Sequence, residues 1–490
     1  MNGQLQRKVL LIGLDGLRPD LIDADVMPNL SRLIDEGTLF PDHHAAYPTH
    51  TRANIATLAT GCYPGRHGVV ANVFRLDPAP EPAPGIIDTS KDEHLRQLDT
   101  ATNGQAVLTP TLGDILERHD QRVAVAATSS AGAGILWTRL QPYRVVNVNS
   151  YYDRPDLLSL REKLGPIPPA GTDYRLERQM YAARAVTDIF IPDEETTVVV
   201  LWLNEPDSSL HRFGLGAPET RQALEICDDV ISYVLDAIER RGEQDRWNVI
   251  LLSDHGHSTV LHHRTLGEYL DRASRELGLG TAGLTTASDY VYAGPDATPD
   301  QISRLSRWVQ EQPWAGAVFG SGPFADLPGV LPLARLWAGQ CSTREPALAV
   351  SPVWSDQPND LGVPGTIAAL TEQVALRSTH GSASPFELHP LLAMIGPNIR
   401  ERHQTSLPSG AVDITPTILE ILGYSNGTET DGRVLWEAFS SPSGEPGDHR
   451  TERVGPANSH PDGFSPEIII ERVGSTSYID QVTNGRPGDR

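Results

Sequence analysis

The chain has 490 residues, enough for one large α/β unit with insertions or for two or three domains. Its 63 acidic against 40 basic residues give a formal charge of −23. That excludes a general nucleic-acid binder, whose surface must be basic to displace counterions, and it argues against docking on an anionic membrane. A small anionic substrate stays compatible, because a bound metal inverts the local field.

In chain order, residues 8–14 (KVLLIGL) form an apolar run that breaks at Asp15 and Gly16. This is the pattern of a buried parallel strand stopping at the carboxyl edge of its sheet. The run is too short for a signal-peptide core, and no run in the chain reaches the ~18 apolar residues of a membrane helix. Three scattered cysteines, Cys62, Cys227 and Cys341, form no disulfide framework. A cytoplasmic protein is expected. MPNLSRLIDEG reads as a helix closed by Gly37. The proline-rich stretch 77–93 reads as a surface loop. RVAVAAT (122–128), TTVVVLWL (196–203) and WNVILLS (247–253) read as further strands. A long amphipathic helix from about Pro218 to Arg241 separates the last two. HPLLAMIGP (389–397) reads as a strand and VDITPTILEILG (412–423) as a helix ended by Gly423.

Strands alternating with helices predict an α/β three-layer sandwich around a mostly parallel sheet, with ligands beyond the strands' carboxyl ends. Residues 1–256 and 378–440 make this core. Residues 257–377 hold a strand–helix–strand pattern (SDYVYAG, TPDQISRLSRWVQEQ, AGAVFG) and read as an inserted α+β subdomain. Residues 441–490 read as a linker and a last strand, EIIIERV.

Acidic and histidine residues gather at the predicted strand ends. Asp15 follows the first strand. Asp207 and His211 follow TTVVVLWL, Asp254 and His255 follow WNVILLS, and His380 shortly precedes HPLLAMIGP. If these ends share one sheet edge, three carboxylates and three imidazoles converge. Such a set without thiolate suits Zn²⁺, with Mn²⁺ as the alternative, and exceeds what one tetrahedral ion needs. Two metals are expected. Thr51, in YPTHTRANIATLATG, falls at a helix start, where free N–H groups and the dipole favour an anionic oxygen. It reads as an N-cap or as a nucleophile, and Thr49 competes with it for the second role.

The ordered motifs GLDGLRPD, YPTHTRAN, TGCYPGRHGVVAN, EPDSSLH, LLSDHGH and THGS resemble the alkaline phosphatase superfamily, and within it the nucleotide pyrophosphatase/phosphodiesterase (type I phosphodiesterase) family. The resemblance implies an alkaline phosphatase-like fold and two zinc ions. Asp15, Thr51, Asp254 and His255 would hold one, and Asp207, His211 and His380 the other. It implies Thr51 rather than Thr49 as nucleophile. It implies that Asn72 binds a non-bridging phosphoryl oxygen, and that phosphodiester or pyrophosphate bonds are cleaved by double displacement through a phosphothreonine. The chain departs from the family pattern at Arg52, where a large apolar residue usually lines a nucleotide pocket. Arg52 reads as a solvated helix residue or as a contact to a second anionic group. That opens a phosphomonoesterase or a phosphonoacetate-type C–P hydrolase as alternatives, with a non-catalytic phosphate- or metal-binding scaffold as a further one. His257, at a position often apolar, joins His262 and His263 in a stretch that reads as surface, with an accessory ligand as the alternative.

Overall fold

The computed structural model describes residues 6–140, 144–150, 162–171, 173, 175–341, 343–368, 375–424 and 429–486. Its centre is an eight-stranded sheet. In chain order the strands are β1 (Lys8–Leu14), β2 (Thr38–Leu39), β3 (Arg122–Ala127), β4 (Val145–Asn147), β5 (Thr196–Leu203), β6 (Trp247–Leu252), β7 (Leu392–Ile395) and β8 (His403–Gln404). They lie in the order β8-β2-β7-β6-β1-β5-β3-β4. All neighbours pair parallel except where β7 runs antiparallel to β6 and β2.

Why β1 is central follows from its side chains. All seven residues are buried, and they alternate between two apolar clusters. Val9 and Leu11 join one; Leu10, Ile12 and Leu14 join the other. Each such side chain contributes about 1.5–3 kcal/mol by leaving water. Helices Pro28–Glu36, Arg175–Ala185 and Pro218–Arg240 cover the second face, with Leu30, Tyr181, Val230 and Val234 in its cluster. Helices Thr51–Thr60 and Ile414–Leu422 cover the first, through Ile55, Leu58, Ile414 and Ile418. This is a three-layer α/β sandwich. Helix Pro28–Glu36 lacks a cap of its own. Asp228 of the long helix supplies it, accepting from Asn29 N at 3.1 Å and Leu30 N at 2.8 Å.

Two expectations need correction. Residues 77–93 are not all loop: Ile86–Asp88 pairs antiparallel with Val73–Arg75, and Ile87 is fully buried. The tail holds more structure than one strand, since His449–Val454, Ile468–Val473 and Thr476–Val482 form a three-stranded antiparallel sheet. HRTERV leaves no apolar alternation because it is the exposed edge. Within 257–377, the strands Tyr290–Tyr292 and Ala315–Gly320 belong to a five-stranded sheet, with helix Pro299–Gln310 between them in sequence.

Candidate metal centre and nucleophile

The parallel register decides what meets at the sheet edge. Leu14 pairs with Leu203 and Gly13 with Leu252. One or two steps further, Asp15 stands level with Asp254, and the chain after β5 turns into helix Asp207–Phe213. His380 precedes β7. It reaches the same edge because β7 is antiparallel, so its amino end lies beside the carboxyl ends of its neighbours.

The six predicted ligands come together with Thr51. Asp15, Asp254 and His255 offer ligand atoms within 4.8 Å of one another, and so do Asp207, His211, His257 and His380. The two groups abut: the His255 and His380 rings stack with centroids 3.7 Å apart, and Asp207 N donates to Asp15 O at 2.9 Å. His255 Nε2 lies 3.5 Å from Asp15 Oδ1 and 3.2 Å from Asp254 Oδ2. The Thr51 hydroxyl, at the first residue of helix Thr51–Thr60, is 3.1 Å from the same nitrogen. Asp207 Oδ1 lies 3.2 Å from His211 Nε2 and 3.5 Å from His380 Nε2.

A cation fits this arrangement on structural grounds. His211 Nδ1 faces Ser378 O at 2.8 Å, His255 Nδ1 faces Gly256 O at 3.0 Å, and His380 Nδ1 faces Thr49 O at 2.6 Å. A carbonyl only accepts, so each Nδ1 carries a hydrogen and each Nε2 is the nitrogen turned to the cluster, free to ligate when it carries no proton. Asp15 Oδ1 and Asp254 Oδ2 are buried without a hydrogen-bond partner. Such atoms are costly unless something positive satisfies them. Burial and the neighbouring Asp207 push the Asp15 carboxyl up to about 8. Burial, then Asp15 and Asp207, push Asp254 well above the usual carboxylate range. Burial opposes ionisation of Asp207 as well, but His211 and His257 outweigh it and hold that carboxyl low. Burial keeps His255 and His380 neutral, as ligands must be. Oxygen and imidazole donors without thiolate suit zinc.

The two threonines have different surroundings. Thr49 Oγ1 donates toward Ser382 O and Glu387 Oε2, each at 2.9 Å, and accepts from Gly381 N at 2.8 Å. It is fully engaged away from the cluster. Asn72 Oδ1 accepts from Arg52 N at 3.1 Å, at the first turn of the Thr51 helix. Its NH2 has no hydrogen-bond partner among the described residues. The Arg52 guanidinium makes no ion pair among the described residues, and its Nε is buried without a partner. Burial lowers its pKa, and Asp15, Asp88, Asp207 and Asp254 pull it back up.

His257 is a correction. It is not a surface residue like His262 and His263, which are exposed; it is fully buried. Its Nε2 lies 2.8 Å from Asp207 Oδ1 and its Nδ1 lies 3.2 Å from Ser378 Oγ. Gly16, at φ +75, makes room: a Cβ there would come within 2.8 Å of the His257 ring. The His255–Gly256–His257 spacing carried the signal, since alternate residues of an extended segment face the same side. Trp202 and Ser129 had no sequence signal. Trp202 Nε1 and Ser129 Oγ each donate to Asp15 Oδ2 at 3.3 Å, which aims the other oxygen inward. The Trp202 ring fits only because residue 13 is glycine, where a Cβ would lie 2.2 Å from it.

A family model for type I phosphodiesterase / nucleotide pyrophosphatase matches residues 9–312, a stretch that holds Thr51, Asn72 and every candidate ligand except His380. Rat ectonucleotide pyrophosphatase/phosphodiesterase family member 7 is 26% identical over 260 residues, 52% of this chain and 51% of that protein. The venom phosphodiesterase of Macrovipera lebetinus is 24% identical over 277 residues, 55% of this chain and 28% of that one. A mouse bis(5'-adenosyl)-triphosphatase is 22% identical over 442 residues, 87% of this chain and 81% of that protein. The chain spans about half the length of the family member 7 proteins it matches.

Proposed function

Because the chain belongs to the type I phosphodiesterase / nucleotide pyrophosphatase family, we propose that it is a hydrolase of phosphodiester or pyrophosphate bonds that works through a phosphothreonine on Thr51. The observation that carries the reading is the Thr51 hydroxyl at a helix start, 3.1 Å from His255 Nε2 and beside two groups of ligand atoms. Asp15, Thr51, Asp254 and His255 would hold one zinc ion, and Asp207, His211 and His380 the other, with Mn²⁺ as a possible substitute. Bound there, the ions would lower the pKa of the Thr51 hydroxyl and neutralise charge on the attacking and leaving oxygens.

The chain's own groups do the rest. Thr51 Oγ1 bonds to phosphorus as the bond to the leaving oxygen breaks. Water then takes the phosphoryl group and restores the hydroxyl. Asn72 holds the first turn of the helix through Oδ1 and offers its NH2 to a non-bridging phosphoryl oxygen. His211, His255 and His380 are held in one tautomer by backbone carbonyls, so the ligand set is oriented before substrate arrives. The substrate is a small anionic phosphate compound rather than a nucleic-acid polymer. A cytoplasmic location belongs to the same proposal and rests on three free, buried cysteines. Among the described residues no helix is long and apolar enough to cross a membrane.

Thr51→Ala tests the reading. It is expected to abolish turnover of bis(p-nitrophenyl) phosphate while about two zinc ions per chain remain. A fully active variant refutes it. A second reading, a phosphomonoester or a carboxylated phosphonate as substrate, is favoured by the buried, partnerless Nε of Arg52. Assaying p-nitrophenyl phosphate and phosphonoacetate beside the diester separates the two, and a diester preference rejects the second.

A further inference from the structure

Away from this centre, a second set of aspartates and histidines converges. Asp42 and His44 come from the segment before the Thr51 helix. His389 ends the short helix Pro385–Leu388, and Asp480 lies on the strand Thr476–Val482. Their ligand atoms all lie within 4.8 Å of one another. His44 Nε2 is 3.4 Å from Asp42 Oδ1 and 3.8 Å from Asp480 Oδ1. His389 Nε2 is 4.0 Å from Asp42 Oδ1 and 3.3 Å from Asp480 Oδ1. A tetrahedral zinc ion with ~2.05 Å bonds separates its ligand atoms by about 3.3 Å. The imidazole–carboxylate separations exceed that by about 0.7 Å at most, and no pair of ligand atoms is more than 4.8 Å apart, so small side-chain rotations close the set.

An independent observation points to a cation. The His44 side chain is 1% exposed, and its Nδ1 lies 2.8 Å from Ser409 O, which can only accept. Nδ1 therefore carries a hydrogen, and Nε2 faces two carboxylates, where it either ligates a cation through its lone pair or carries a second proton. Nε2 of His44 and Nε2 of His389 are both buried without a hydrogen-bond partner. Lone pairs facing carboxylates repel until positive charge sits between them. Two carboxylates balance one dication, and a backbone carbonyl behind the imidazole is the usual support of a zinc ligand.

We propose that Asp42, His44, His389 and Asp480 form a structural zinc site separate from the active centre. Four protein ligands close the coordination sphere, which suits a structural rather than a catalytic ion. The ion would tie the C-terminal sheet, through Asp480, to the segment leading to Thr51. It would also brace the helix Pro385–Leu388, whose Glu387 holds Thr49 and Ser382. The competing occupant is a pair of protons, one on each imidazole.

Metal content of the purified full-length chain, measured by mass spectrometry after dialysis, decides between them. His389→Ala and Asp480→Asn are each expected to lose one zinc equivalent relative to the unaltered chain. They should keep the native circular dichroism spectrum and at least half of the aryl diester turnover. In the converse arm, Asp15→Ala combined with Asp207→Ala leaves the distal cluster intact and is expected to retain one zinc per chain. Equal zinc in the unaltered chain and both distal variants overturns the proposal, as does a folded, zinc-free Asp15→Ala/Asp207→Ala protein. Neither result depends on whether Thr51 is the nucleophile.

Discussion

The bond that Asn72 makes and the role proposed for it sit on different atoms, and substitutions can separate them. Its Oδ1 accepts from Arg52 N at 3.1 Å, an N-capping bond at the helix that begins with Thr51. Its NH2 is the donor that the proposed reaction offers to a phosphoryl oxygen. Asn72→Ala removes both. Losing the capping acceptor costs about 1 kcal/mol of stability. Losing one donor to developing charge costs about 10²–10³ in kcat, or roughly 2.7–4 kcal/mol of barrier. Asn72→Asp keeps an acceptor of the same shape, and its negative charge suits a helix N-terminus. It lacks the donor, however, and turns an anion toward an anionic substrate. The Asp variant is therefore expected to be the more stable of the two by about 1 kcal/mol and yet to be at least as slow. Urea unfolding and steady-state hydrolysis of bis(p-nitrophenyl) phosphate, both with zinc present, measure the two quantities. An Asn72→Asp enzyme with kcat within threefold of the unaltered protein would falsify the donor role. Activity falling only in step with stability would do the same.

Three further outcomes are expected. Burial, helped by Arg344, lowers the His67 pKa to about 3 in the folded chain. Below the unfolded value of ~6.5 the unfolded chain takes up a proton that the folded chain refuses, so stability falls as pH drops from there toward 3. His67→Gln should reduce the loss between pH 7 and 4.5 by about 2–3 kcal/mol; superimposable urea midpoints against pH would contradict this. Burial beside Asp15 and Asp207 pushes the Asp254 carboxyl well above the usual range, so the metal-free folded chain resists an ionisation that the unfolded chain undergoes freely, and stability is lost as pH rises above the unfolded value. At pH 8, chelator-stripped Asp254→Asn should melt above the stripped unaltered protein and below it once zinc is added; the same sign in both states rejects the reading. Finally, His257→Leu removes the imidazole 2.8 Å from Asp207 Oδ1. It is expected to weaken metal binding at the Asp207 group by about 10–100-fold in cobalt titrations, and an unchanged affinity counts against a supporting role.

How far the sequence could be read depended on whether a residue's environment was local. The edges of β5 and β6 were legible because their apolar runs are continuous and end in polar residues. Asp15, Asp207 and Asp254 followed from the expectation of parallel strands. His380 reaches the cluster for a reason the apolar pattern does not contain: nothing in HPLLAMIGP tells that β7 is antiparallel, and its direction is what brings residue 380 to that edge. His257 was misread because histidine usually marks a surface, whereas here Gly16 and Asp207 shape a buried slot for it from elements distant in the chain. Trp202 looked like any core residue of β5, and its hydrogen bond to Asp15 exists only through the missing side chain at Gly13. The sheet formed by residues 449–482 was only partly visible, since an edge strand with a polar exposed face carries little periodicity.

The contact between His380 and Thr49 joins positions 331 residues apart in the chain. During synthesis, the threonines and the first aspartate leave the ribosome long before the last imidazole exists. A stalled or truncated chain therefore holds Thr51 and Asp15 with the cluster still incomplete, and under the proposed reading its chemistry can begin only once the distant strand has docked.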